Sequence, residues 1–158
     1  MRYSKGLVLY QDDPGWGLFL KLITVIGPAA LLASSYYLFS RGETEGGRVL
    51  LLEAFIFSAI FLAIFPRSYR IYEDHLRIVL GGPFSIKIGL DKIKSVEVTG
   101  KLNFSVNFAT RMTGAYVAII MKKGMTIAIT PKYNNQFVEN ANRALSEWAK
   151  TNAQLRVV

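Results

Sequence analysis

The chain has 158 residues, 51% of them apolar, with 19 Lys and Arg against 11 Asp and Glu and a formal net charge of +8. It contains no cysteine and a single histidine, which excludes thiol nucleophiles, disulfides, thiolate metal sites and any multi-histidine metal centre.

Residues 1–15 come first. Tyr3, Leu7, Val8, Leu9 and Tyr10 suit either a strand that joins a later sheet or an interfacial segment, and Asp12-Asp13-Pro14-Gly15 reads as a turn. Two apolar stretches follow. Trp16 to Phe39 carries one ionisable residue, Lys21, and at ~1.5 Å rise per residue a helix of this length covers a hydrocarbon layer of ~30 Å. Val49 to Phe65 carries only Glu53 and stops at Pro66, where a helix is expected to end. The first stretch lacks the small-residue cleavage site of a signal peptide, and a second apolar stretch follows it closely.

Between them, Ser40 to Arg48 holds three glycines and four charges of mixed sign, an expected exposed loop joining antiparallel helices. Residues 16–66 are therefore expected to form a transmembrane hairpin. Arg2, Lys5, Lys21, Arg67 and Arg70 lie on the side of the termini, against Arg41 and Arg48 on the loop side, so both termini are expected in the cytoplasm. Lys21 and Glu53 each stand about one turn inside their nearer end of the hairpin, within reach of the interface. Arg48 and Arg41 are nearby partners for Glu53, so a packing role is favoured over proton or ion movement. Gly27-Pro28-Ala29-Ala30 predicts a kink, and Gly27, Ala30, Ser34, Glu53 and Ser58 are the expected membrane-packing residues.

Charge divides the chain unevenly. Residues 1–66 balance five basic against five acidic side chains, so 67–158 carries the whole excess. A basic domain beside a cytoplasmic leaflet is drawn to anionic headgroups by roughly 1 kcal/mol per basic residue near the surface. Nucleic acid is not expected as a partner, because no helix-turn-helix, zinc-finger or RNP-like motif accompanies the charge.

The remaining residues alternate with period two over short runs, the mark of half-buried antiparallel strands. Tyr69 to Tyr72 and Leu76 to Leu80 flank a turn at Glu73-Asp74, and Gly81-Gly82-Pro83 makes the next reversal. Phe84, Ile86, Ile88 and Leu90 share one face, continued by Ile93, Val96 and Val98 after a break at Asp91-Lys92. Phe104, Val106 and Phe108 alternate in a further strand, and Lys122-Lys123-Gly124 turns Ala115–Met121 back into Met125–Thr130. From Asn134 the period changes: Phe137, Ala141, Leu145 and Trp148 lie on one face of a helix of about four turns, with Asn134 or Asn135 as its cap.

Six or seven strands and one closing amphipathic helix resemble the bacterial pleckstrin-homology-like domain. The resemblance rests on Tyr69-Arg70-Ile71-Tyr72-Glu73-Asp74-His75-Leu76-Arg77-Ile78, on Ile88-Gly89-Leu90-Asp91-Lys92-Ile93-Lys94-Ser95-Val96, and on Ile127-Ala128-Ile129-Thr130-Pro131-Lys132 leading into the Phe137 helix, and covers roughly 67–150. It implies a strongly bent antiparallel sheet or barrel plugged by the last helix. Many such bacterial and archaeal proteins place one or two membrane helices directly before the domain, and those discussed are regarded as membrane-associated scaffolding or oligomerising modules. Eukaryotic relatives bind phosphoinositides through a basic pocket in the loop between the first two strands. Here the reversal at Gly81-Gly82-Pro83 has no cation, leaving Arg77 and Lys87 beside it for non-specific headgroup contact.

The expected class is thus an α+β membrane protein: N-terminal segment 1–15, hairpin 16–66, cytoplasmic PH-like domain 67–158. No reacting constellation is present. His75 sits beside Glu73-Asp74 as a solvated turn residue, and Gly81-Gly82 precedes a strand, so it cannot cradle phosphate at a helix N-terminus. No catalytic, cofactor or metal residues, and no small-molecule substrate, are expected. The expectation is a non-enzymatic scaffold at the cytoplasmic face of the cell membrane, oligomeric or bound to a protein partner. Arg67, Arg70, Arg77, Lys87, Lys122 and Lys123 are its candidate lipid- or partner-facing residues. The alternative is an accessory subunit of a larger membrane complex that makes its contacts through the helices.

Overall fold

The computed structural model describes residues 6–100, 105–111 and 114–154. Arg2, Tyr3, Lys5 and Phe104, used in the sequence reading, lie outside the described residues. Strand β1 (Val8–Asp12) leads into helices α1 (Leu18–Ser40) and α2 (Thr44–Ile64). Then follow β2 (Pro66–Tyr72), β3 (His75–Leu80), β4 (Ser85–Gly89), a 3-10 turn at Leu90–Lys92, β5 (Ile93–Thr99), β6 (Ser105–Phe108), β7 (Tyr116–Met121), β8 (Thr126–Ile129) and α3 (Asn134–Gln154).

Both apolar stretches form helices long and apolar enough to cross a membrane, packed antiparallel. Their connection is shorter than Ser40–Arg48. Gly42 takes φ +85°, Glu43 N–H donates to the Leu38 carbonyl and Gly42 N–H to that of Phe39, the paired bonds of a Schellman closure. Gly46 and Gly47 then belong to α2, not to the loop. A Cβ on Gly47 would stand 2.9 Å from the Phe39 ring, so these glycines let two helix backbones approach closely. Glu53 lies nine residues from Thr44, about 14 Å along α2, and five residues past Arg48, after which the apolar run begins.

At its other end α2 stops where Phe65 turns extended before Pro66, since the proline ring disfavours helical backbone in the residue ahead of it. No linker separates helix from sheet: β2 begins at once.

The strands make two four-stranded sheets, ordered β1-β2-β3-β4 and β5-β7-β8-β6, and they do not close into a barrel. The sheet is not wholly antiparallel as expected: β6 runs parallel to β8, because the chain crosses from the β5 edge to the far edge before returning through β7. The N-terminal segment is resolved in favour of a strand, as β1 pairs with β2 from Val8↔Tyr72 to Asp12↔Tyr69. Between the sheets lies a core of Tyr69, Ile71, Leu76, Ile78, Ile88, Leu90, Ile93, Val96, Val117, Ile119 and Ile129, plugged by Phe137, Ala141 and Ala144 of α3. Leu145 and Trp148 pack at its margin, on the expected helix face.

Two side chains, Phe84 and Val98, depart from the expected alternation. Phe84 belongs to the turn before β4 and is 58% exposed. A bulge between Ile93 and Ser95 turns both Ile93 and Val96 inward, while Val98 is 40% exposed. The helix α3 runs 21 residues, longer than four turns. The expected asparagine cap is also replaced. Asn134 is already helical and its amide donates to the Ala115 carbonyl, while the Asp12 carboxylate accepts from Tyr133 N–H at 2.9 Å, placing a negative group at the positive end of α3.

Candidate functional site: a docked domain and its cation row

The junction between hairpin and domain is built from hydrogen bonds of irregular backbone. Gly15 N–H donates to the Thr130 carbonyl at 2.7 Å and Gly17 N–H to that of Thr110 at 2.8 Å, tying the entry of α1 to β8 and to the segment after β6. Thr110 and Thr130, both fully buried, bond to each other at 2.9 Å, and the Thr110 hydroxyl reaches the Gly15 carbonyl at 3.0 Å. On the α2 side, Gly81 is pressed against the Leu62 carbonyl, so any side chain there would occupy the last turns of the helix. Trp16 and Phe65 close the junction with ring centroids 5.4 Å apart.

These contacts fix which end of the domain meets the helices. Gly15, Gly17 and Leu62 meet the loops after β3, β6 and β8, whereas the turns after β2, β4 and β7 lie at the opposite end of strands four to seven residues long, roughly 14–24 Å away.

The outer face of the first sheet carries charge in register. Arg70 is directly opposite Arg77, and Arg77 directly opposite Lys87. Directly opposed side chains have Cβ atoms about 5 Å apart, so a row of like charges destabilises the bare sheet. Arg70 and Arg77 each hold a buried Nε without a hydrogen-bond partner, and among the described residues neither is ion-paired. Such a row stabilises an anion laid across it, since each guanidinium offers charge-assisted hydrogen bonds.

The other sequence candidates scatter. Arg67 is exposed beside the end of α2, whereas Lys122 and Lys123 occupy the β7–β8 turn at the far end, where the Lys122 ammonium donates to the Asp91 carbonyl at 2.7 Å. Within the hairpin, Gly27 faces Phe57 across the helix interface and the Ser58 hydroxyl donates to its own helix at Ala54, while Ala30, Ser34 and Glu53 point outward. His75 is not a solvated turn residue: it is buried, its imidazole stacked 4.4 Å from Tyr72 and bonded to the Asp74 carboxylate. The loop between β2 and β3, Glu73-Asp74, is acidic, so it too lacks the cations of an inositide pocket. Sequence reasoning missed Asp12, Thr110, Thr130 and Arg111, whose guanidinium donates to the Pro131 carbonyl and to Asn134 at 3.3 Å. Their partners lie up to 121 residues away, and nothing local marks them. Among the described residues no group of acidic and histidine side chains is arranged to hold a metal.

Burial pushes the Tyr69 phenol up to about 12, and its hydroxyl donates to the Phe108 carbonyl at 3.1 Å. It braces the two sheets and takes no part in any open cleft.

Residues 67–142 match the model of the bacterial PH domain family, which spans β2 to the middle of α3. A bacterial PH domain is therefore present, set directly behind two helices long and apolar enough to cross a membrane. PH domains are in general non-catalytic interaction modules. No curated protein and no solved structure matches the chain.

Proposed function

We propose that the protein is a non-enzymatic, membrane-anchored PH module that acts as an interaction platform at the cytoplasmic face of the cell membrane. The hairpin 16–66 is the anchor, and the domain 67–158, completed by β1 from segment 1–15, is the platform. The observation that carries this reading is the docked junction: with Gly81 against Leu62 and Thr110 against Gly15, the domain is held in one pose relative to the helices. Pairing of β1, which precedes the helices, with β2, which follows them, supports an even number of crossings. The excess of Lys and Arg on that side supports the cytoplasm.

In this pose Arg67 stands at headgroup level, where anionic lipid strengthens docking. Arg70, Arg77 and Lys87 lie farther along the strands and receive an acidic stretch of a partner or a second copy, and Lys122 and Lys123 face the cytoplasm at the far end. The full chain, purified from native membranes in mild detergent, is expected to retain a partner that Arg77→Glu combined with Arg70→Glu releases. Unchanged retention by the folded double variant would overturn the role of the row.

A second reading is favoured by Glu53, an exposed carboxylate within the apolar run of α2, five residues past Arg48. Such a group is costly in hydrocarbon and is expected to face a protein neighbour, as in an accessory subunit that assembles through its helices. Loss of co-purifying chains in Glu53→Leu, with the row intact, would select this reading over the first.

A further inference from the structure

A groove of about 510 Å³ opens at the junction, lined by Phe61 and Leu62 of the last turn of α2, by Phe65 and Trp16, and by Asp13 and Arg67 at its rim. Its two halves differ in chemistry. The wall toward the helices is apolar and aromatic; the rim toward the domain offers one cation and one anion. Arg67 and Asp13 share this rim, yet among the described residues neither is ion-paired. The backbone that carries Asp13 is fixed, because its carbonyl accepts from Lys132 N–H at 2.8 Å, and Arg67 follows directly on Pro66 in β2. Two opposite charges on one rim, unpaired with each other and above an apolar wall, complement a ligand that carries both charges on a short polar head with a hydrocarbon tail.

We infer that this groove binds one membrane phospholipid with an amino headgroup, its phosphate on Arg67 and its primary ammonium on Asp13, with an acyl chain along Phe61, Leu62 and Phe65. The inference rests on the reading of the hairpin as membrane-spanning, which sets the last turn of α2 at the boundary between hydrocarbon and headgroups. It does not depend on the cation row. A headgroup without an ammonium leaves Asp13 without a cation beside the bound phosphate, and a quaternary ammonium cannot donate a hydrogen bond to the carboxylate.

The test uses the full chain in nanodiscs made from equal parts of phosphatidylethanolamine, phosphatidylcholine and phosphatidylglycerol, with retained lipid identified by native mass spectrometry. One phosphatidylethanolamine is expected to be retained over each competitor by about fivefold or more, the ratio that about 1 kcal/mol of differential binding produces. Asp13→Asn is expected to abolish that preference while retention of phosphate-bearing lipid persists, and Arg67→Ala to lower retention of all three. Arg67→Lys, which keeps the charge, restores most of it. Equal retention of the three lipids by a chain that enters the discs, or a preference unmoved by Asp13→Asn, overturns the inference alone. Failure of the chain to enter the discs overturns the membrane reading with it.

Discussion

The hairpin and the domain bury opposite kinds of side chain. Within α1 and α2 the buried residues are Leu20, Ser35, Gly47 and Ala54, three of the four small, while Phe55, 73% exposed, and Leu18, Val25, Ile26 and Leu62 point outward. In the domain Tyr69, Ile71, Leu76, Ile119 and Phe137 are inside, and the outward positions carry Arg67, Lys94, Lys122 and Lys123. One chain thus follows two rules for the same side chains. Water drives Ile and Phe together in the domain, where burying a large apolar side chain contributes roughly 1.5–3 kcal/mol. If the hairpin lies in hydrocarbon, as proposed, that drive is absent there, because hydrocarbon solvates Leu as well as another Leu does, and small residues that permit close backbone approach take its place. The Ser35 hydroxyl, donating to the Gly47 carbonyl at 2.6 Å, adds a bond that hydrocarbon cannot supply.

The largest expected effect falls where the two regions meet. Gly81→Val forces a side chain into the Leu62 carbonyl, and neither backbone has room to yield. The expected loss exceeds about 5 kcal/mol, enough to undock or unfold the domain, and should appear as collapse of the thermal transition in detergent. A melt like that of wild type would show that hairpin and domain are only loosely joined.

The contrast in solvent rules is tested by a pair of truncations. Phe137→Ala empties the centre of the domain core and is expected to cost about 3–5 kcal/mol. Phe55→Ala, on the outer face of α2, is expected to stay within about 0.5 kcal/mol in the same detergent denaturation series, as a surface position should. Equal losses would mean that Phe55 packs against protein, the outcome demanded by assembly through the helices.

A smaller effect belongs to the domain alone. Because the folded Tyr69 phenol titrates near 12 and an unfolded one near 10.0, the folded state holds its proton longer. This contribution is fully present below pH 10 and is lost as pH rises toward 12, by up to about 2–3 kcal/mol. Tyr69→Phe, measured by denaturation across this range, should remove that slope.

The sequence made some of this legible for plain physical reasons. Long apolar runs, the Lys122-Lys123-Gly124 turn and the stripe Phe137–Ala141–Leu145–Trp148 are local patterns, and each appears where the pattern put it. What stayed hidden depends on distant partners. Gly46 and Gly47 look like loop residues until Leu38 and Phe39 lie over them, and His75 looks solvated until Tyr72 covers its ring. Asp12 looks like part of a turn until Tyr133 arrives from the other end of the chain. At the site, the row Arg70–Arg77–Lys87 needed the strand register, although all three residues were named from charge alone.

The first strand of the sheet is made before either helix, and its partner β2 is made after both, with Asp12 meeting Tyr69 across 57 intervening steps of chain. On a ribosome the sheet therefore waits for the helices. With the hairpin in the bilayer, β1 and β2 are delivered side by side at one surface, and the long loop that would otherwise be costly to close is already closed by insertion. On the reading of the hairpin as membrane-spanning, assembly of the domain reports that both helices have crossed: a chain whose second helix failed to insert would leave β2 without its neighbour, and an incomplete sheet edge would expose it to aggregation and clearance. If the hairpin is the anchor, the order of elements along the chain makes folding of the platform conditional on correct anchoring.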